Sequence, residues 1–190
     1  MVFTKKHLAI ILVVIALGEG GYFLYQKQFR SDRRTVAIMI VPVDDPVIAQ
    51  GIKEGAQLAI AGVNATKDFS IRMAFGKENP IAIIGEEDGM LVIRSGGEGA
   101  SGAAPFLSIP RGGLPGAVFI RKVKLVYGHD PLPYSAEAFD AVKLIAIGSS
   151  RIPLGKPMES PLLQEIFKSL RGYTGESGAV KFNEGGIGSR

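Results

Sequence analysis

The sequence predicts an α/β fold, a three-layer αβα arrangement with a mostly parallel sheet, preceded by an N-terminal hydrophobic helix. Three observations carry this. An unbroken apolar run opens the chain, short apolar and β-branched runs of strand length recur from Thr35 onward, and a long stretch at helical spacing separates the first two of them. Strands that alternate with helices imply βαβ units and a parallel sheet. At 190 residues the chain is long enough for one ordinary domain with a real core.

The first 34 residues stand apart. Lys5 and Lys6 precede the apolar run Leu8–Leu17, the layout of an export signal. After Gly18-Glu19-Gly20-Gly21 the apolar character resumes at Tyr22, Phe23 and Tyr25. As a helix, Leu8–Tyr25 would reach about 27 Å, enough to span a bilayer, with its aromatic rings at an interface. Two readings stand: a peptidase cut after Gly18, or an uncleaved signal anchor, which the aromatic belt suits better. An extracytoplasmic domain is the expectation, although the charges leave orientation open, because four basic residues follow the span and two precede it. Residues 1–34 hold six Lys/Arg against Glu19 and Asp32, whereas residues 35–190 hold sixteen charges of each sign. The globular part is neutral, which argues against nucleic acid as a partner. With no cysteine, disulfides, thiolate metal sites and a lipidated N-terminal cysteine are excluded.

The elements follow in order. TVAIMIVPV (35–43) is a strand covered on both faces. Asp44 or Asp45 can cap the next helix, with Pro46 in its first turn. Residues 47–65 place Ile48, Ile52, Ala56, Ala59 and Val63 on one side and Gln50, Lys53, Glu54 and Gln57 on the wet side. Gly51, Gly55 and Gly62 lower its helicity but let it approach a sheet closely. Strands are expected at 69–75, 80–85 and 104–110, while MLVI (90–93) fits a strand or a helical turn equally. Residues 117–128 read as a helix with Val118, Val123 and Val126 inward, ending at Gly128. Tyr134–Ile147 reads as a helix closed by Gly148, burying Phe139, Val142, Ile145 and Ala146. A third begins at Ser160-Pro161, carries Leu162, Leu163, Ile166, Phe167 and Leu170, and stops at Gly172. GAVKF (178–182) is a final strand, and residues 185–190 a flexible tail.

Little here supports catalysis. His7 and His129 form no triad or metal set, and the Gly-rich residues 95–104 lack the endings of a phosphate loop. Asp140 reads as a structural cap. No cofactor and no metal site are expected.

The stretch FIRKVKLVYGHDPLPYSAEAFDAVKLIA resembles the type I periplasmic binding proteins of the branched-chain amino acid and amide class. There a helix ends in a Tyr-Gly turn, a Pro-containing loop follows, and the next helix carries an aromatic-Asp-Ala-Val sequence, here Phe139-Asp140-Ala141-Val142. LQEIFKSLRGYTGESGAVKFNEGG is similar to that family's helix, Gly-x-Thr-Gly turn and strand. VAIMIVPVDDPVIAQGIKEGAQLAIAGVNA is similar to its first strand and helix, closing here on Val63-Asn64. The likeness covers most of residues 35–184.

The resemblance implies a solute-binding protein of an ABC-type importer, anchored at the membrane, with an amino acid or amide as ligand and a permease as partner. Family members have two lobes. Here the step from APFLSIP to AVFIRKVKLVYG omits most of the second, so a single lobe is expected. That lobe would act alone, pair with a second copy, or serve as a sensor or interaction module without transport. The helix between the second and third strands is also missing, which would expose one sheet face. Ligand contacts are expected at the carboxyl ends of the first and fourth strands, from Asp44, Asp45, Ser108 and Arg111. Glu86, Glu87 and Asp88 read as a solvated acidic loop, suited at most to an ammonium or a metal.

Overall fold

The apolar run at the start of the domain forms β1 (Thr35–Ile40), and β2 (Ser70–Met73), β3 (Ala82–Glu87), β4 (Met90–Ser95) and β5 (Leu107–Pro110) complete a sheet with it. The computed structural model describes residues 35–65, 70–74, 80–96, 105–153, 156 and 158–190. Strand order is β2-β1-β3-β4-β5. β1 is interior and pairs in parallel with both neighbours, while the β3–β4 and β4–β5 pairings are antiparallel. Four strands therefore run one way and β4 alone runs against them. The MLVI segment is this fourth strand. It is joined to β3 by the two-residue turn Asp88-Gly89, whose positive φ values of 49° and 78° suit a tight hairpin.

Register places Ile38, Ile84, Leu91, Ile93, Leu107 and Ile109 on one face, each at most 1% exposed. Burying each contributes roughly 1.5–3 kcal/mol. Ile52, Ala56 and Ala59 of α1 (Pro46–Ala65) join that core, as do Phe139, Val142 and Ile145 of α3 (Ser135–Ser150). α2 (Ala117–Tyr127) and α4 (Ser160–Lys168) add Phe119, Val123, Leu163 and Phe167. Ala37 and Val92, on the opposite sheet face, stand outside this core. Val41, which follows β1 on that face, is 39% exposed. Among the described residues, all four helices thus share a single core with one face of the sheet. The second helical layer of the three-layer expectation is not among them.

The glycines of α1 do not face the sheet. A Cβ on Gly51 would lie 2.0 Å from the Pro133 carbonyl oxygen, and one on Gly55 would lie 1.9 Å from that of Ser135. They admit the loop that begins α3. This explains why that helix has so particular an entry: Leu132, Pro133 and Ser135 must lie flat on a bare stretch of α1. α3 is buried nearly all round, as a helix enclosed by other elements must be. Gly148 sits inside it rather than closing it, because a side chain there would strike Phe167 at 2.9 Å.

Other expectations change with packing. Glu54 is buried rather than wet, and Phe119 and Val123 form the inner stripe of α2 while Val118 and Val126 are 61% and 56% exposed. Gly128 does end α2, in the left-handed conformation that glycine tolerates. α4 stops at Lys168, and Gly172 instead opens β6 (Gly172–Gly175), which pairs with β7 (Gly178–Phe182). Residues 185–190 do not fray. They hold β8 (Gly188–Ser189), paired with β7, and Ile187 bridges to Ser108. The Arg190 guanidinium donates to the Pro110 carbonyl at 2.8 and 3.1 Å and also to that of Ser177. Asp140 is the expected cap: fully buried, it accepts from the backbone N–H of Glu176 (3.0 Å) and Ser177 (2.8 Å) and from the Tyr173 hydroxyl (3.3 Å). Burial, and secondarily the Asp140 charge, pushes the Tyr173 hydroxyl pKa well up.

Residues Thr35–Arg190 form one compact unit. Among the described residues no helix is long and apolar enough to cross a membrane. The expected anchor, Leu8–Tyr25, lies outside the described residues.

Candidate ligand-binding site

In an open α/β sheet of this order the chain leaves β1 toward one edge and β3 toward the other. β1 leads into α1 while β3 turns back at once through Asp88-Gly89, and a crevice lies at the carboxyl ends between these two exits, the end of the sheet where open α/β proteins bind ligands. Here it is a cavity of about 410 Å³ lined by residues 41–45, Ile48, residues 85–87 and Arg94. Four carboxylates belong to it: Asp44, Asp45, Glu86 and Glu87.

Their engagements differ. Asp45 caps α1, its Oδ1 accepting from the N–H groups of Val47 (2.8 Å) and Ile48 (3.2 Å). Glu87 pairs with Arg94, whose side chain is 14% exposed. Glu86 accepts from the Gly89 N–H at 3.0 Å and lies 3.4 Å from the Tyr134 hydroxyl. Asp44 is exposed and makes no hydrogen bond or ion pair among the described residues. One carboxylate is thus uncommitted and a second only lightly held, so the crevice favours a cationic group. Glu86 and Glu87 are consequently not loop residues: they close β3, and only Asp88-Gly89 forms the turn.

The four expected contact residues divide into two places. Asp44 and Asp45 stand in the crevice. Ser108 and Arg111 belong to β5 and its end, whose backbone is separated from that of β1 by β3 and β4, about 14 Å at ~4.8 Å per strand. Ser108 is buried within β5, and its N–H donates to the Gly186 carbonyl at 2.9 Å. Arg111 is exposed and stacks 5.6 Å from the centroid of the Tyr134 ring. It borders a smaller cavity of about 210 Å³ with Gly112, Pro133 and Glu137. Buried Glu137 accepts from the Gly112 N–H at 2.5 Å.

Tyr134 links the two places, with its ring beneath Arg111 and its hydroxyl toward Glu86. It adopts φ 63°, an uncommon conformation for a non-glycine residue that costs on the order of 1–3 kcal/mol. Burial, then the Glu86 charge, raises its hydroxyl pKa, so it remains a neutral donor. Only its place in the Pro-Tyr-Ser start of α3 marks Tyr134 in the sequence.

A further polar cluster lies under α2. Glu54 Oε1 accepts from Gln50 Nε2 at 2.7 Å and stands 3.3 Å from His129 Nε2, while its Oε2 is buried without a partner among the described residues. Tyr127 donates to the Glu54 carbonyl at 3.1 Å. This cluster ties the end of α2 to α1. Among the described residues no group of three or more His, Cys, Asp or Glu is placed to hold a metal ion. Comparisons with protein-family models, curated proteins and solved structures find no match.

Proposed function

We propose that this chain is an extracytoplasmic, membrane-anchored solute-binding protein that takes an amino acid or amide for an ABC-type importer, by binding rather than by catalysis. The observation that carries the reading is the crevice between β1 and β3, lying where an open α/β sheet binds its ligands. In this reading Asp44 and Glu86 receive the ligand's ammonium or amide N–H groups. Asp45 keeps the start of α1 in place. Arg111 borders the neighbouring cavity and reaches the crevice only through Tyr134, whose hydroxyl faces Glu86. An open crevice built by one lobe encloses less than the ~70–90% of a ligand that good sites cover, so affinity falls on the order of millimolar, about −4 kcal/mol.

A second reading, a single-lobe sensor or interaction module without a transport role, is favoured by the closure of the described residues into one lobe. Arg190 and β8 seal β5 from the side.

A thermal-shift screen of the full chain against amino acids, amides and amines tests the first reading, since a ligand that binds only the folded state raises the melting point. A rise with ammonium-bearing solutes supports it. No rise with any of them at concentrations of tens of millimolar rejects solute binding and leaves the second reading.

A further inference from the structure

A third cavity, of about 570 Å³, opens between α1, α2 and α3, independent of the crevice. Its α1 residues begin at Leu58, ten positions beyond Ile48, or about 15 Å along the helix. The lining is apolar at Leu58, Phe139 and Ile147. Gly62 keeps it open, with nothing within 4 Å of where its Cβ would stand.

Two cations meet at this lining. The ammonium groups of Lys122, from α2, and Lys143, from α3, lie 5.9 and 5.0 Å from the centroid of the same Phe139 ring. Neither makes an ion pair among the described residues. A ring attracts one such cation by roughly 0.5–1 kcal/mol at an exposed site. With no carboxylate paired to either among the described residues, an anion in the groove would meet two uncompensated ammonium groups. The cavity volume falls within the ~300–1,000 Å³ of small-molecule sites.

We propose that this groove binds a small anionic amphiphile: its apolar chain lies along Leu58, Phe139 and Ile147, and its carboxylate is held by Lys122 and Lys143. Charge selects the ligand and the open space at Gly62 admits its chain.

The test is calorimetry on the full chain in nanodiscs of zwitterionic lipid, titrated with octanoate, octanol and octylammonium, with empty discs subtracted. Octanoate should bind roughly tenfold tighter than either of the others, as two exposed ion pairs together allow. Replacing both lysines, Lys122→Ala with Lys143→Ala, should erase that preference. Gly62→Leu should block octanoate uptake while thermal unfolding stays at or above the wild-type temperature. Equal uptake of octanoate and octylammonium, uptake no greater than in empty discs, or a preference that survives loss of both lysines would each overturn the proposal.

Discussion

The seam between α1 and α3 and the rim of strand ends belong to the same stretch of chain, since α1 starts at the rim and runs into the seam. They are built on opposite terms. In the seam nothing can be added: Gly51 and Gly55 give up their side chains so that the backbone at Pro133 and Ser135 can lie against them. At the rim the groups are polar and partly uncommitted, with Asp44 exposed and Glu86 accepting at 3.0 and 3.4 Å. The closed seam fixes Tyr134 and through it the orientation of the rim. Rigid packing beneath and unsatisfied chemistry above is the division expected of a binding scaffold.

That contrast can be broken most severely at Gly55. Gly55→Val should cost about 3 kcal/mol or more in urea denaturation, because the obstacle is a backbone oxygen rather than a side chain that can swing away. A wild-type midpoint would mean that the seam has slack. Asp140→Ala should come next, at about 2–4 kcal/mol, since it strands the N–H groups of Glu176 and Ser177. Asp140→Asn should recover part of that loss, and chemical denaturation of the two variants side by side checks it.

Gly62 sharpens the comparison from the other direction. It lies on the same helix but faces open space, so Gly62→Ala should stabilise by up to ~1 kcal/mol through helix propensity alone. Destabilisation there would show that the three glycines of α1 are equivalent after all.

The smallest effect concerns pH. The carbonyl of Asp130 first, and Glu54 further, raise the His129 pKa above its ordinary 6.5. A folded-state pKa above the unfolded one means that its contribution is complete below about pH 6.5 and fades as pH rises through the higher folded value. Wild type should therefore lose a little stability between pH 6 and 8 relative to His129→Ala. Parallel curves for the two would remove His129 from the account.

Much of the lobe was legible from periodicity. β1 is interior and parallel on both sides, Asp45 caps α1 and Gly128 ends α2, each for the local reason the residues supply, while the backbone that Asp140 caps lies 36 and 37 residues away. What escaped depended on contacts distant in sequence. Nothing near Glu54 reveals that α2 will cover it, and the glycines of α1 say only that something approaches closely, not that it is the loop before α3. Residues 185–190 resemble a tail because their order comes from β7, Ser108 and the carbonyls that Arg190 reaches. One signal was available: Asp88-Gly89 between apolar runs marks a two-residue hairpin, which would have settled MLVI as a strand. Of the candidate site, the Asp44–Asp45 half was legible because it follows β1 directly. Its separation from Ser108 and Arg111 arises from the two intervening strands β3 and β4, and the apolar run of β4 alone fits a strand or a helical turn equally.

The central claim is that ligand binds between β1 and β3 rather than at the end of β5. Calorimetric titration of the full chain with the solute that most raises its melting point tests this most directly, with Asp44→Asn and Arg111→Ala compared in parallel. Asp44→Asn should weaken binding several-fold, with Arg111→Ala within twofold of wild type. Loss of binding in Arg111→Ala with Asp44→Asn unaffected would contradict the account and move the site to the cavity beside Tyr134.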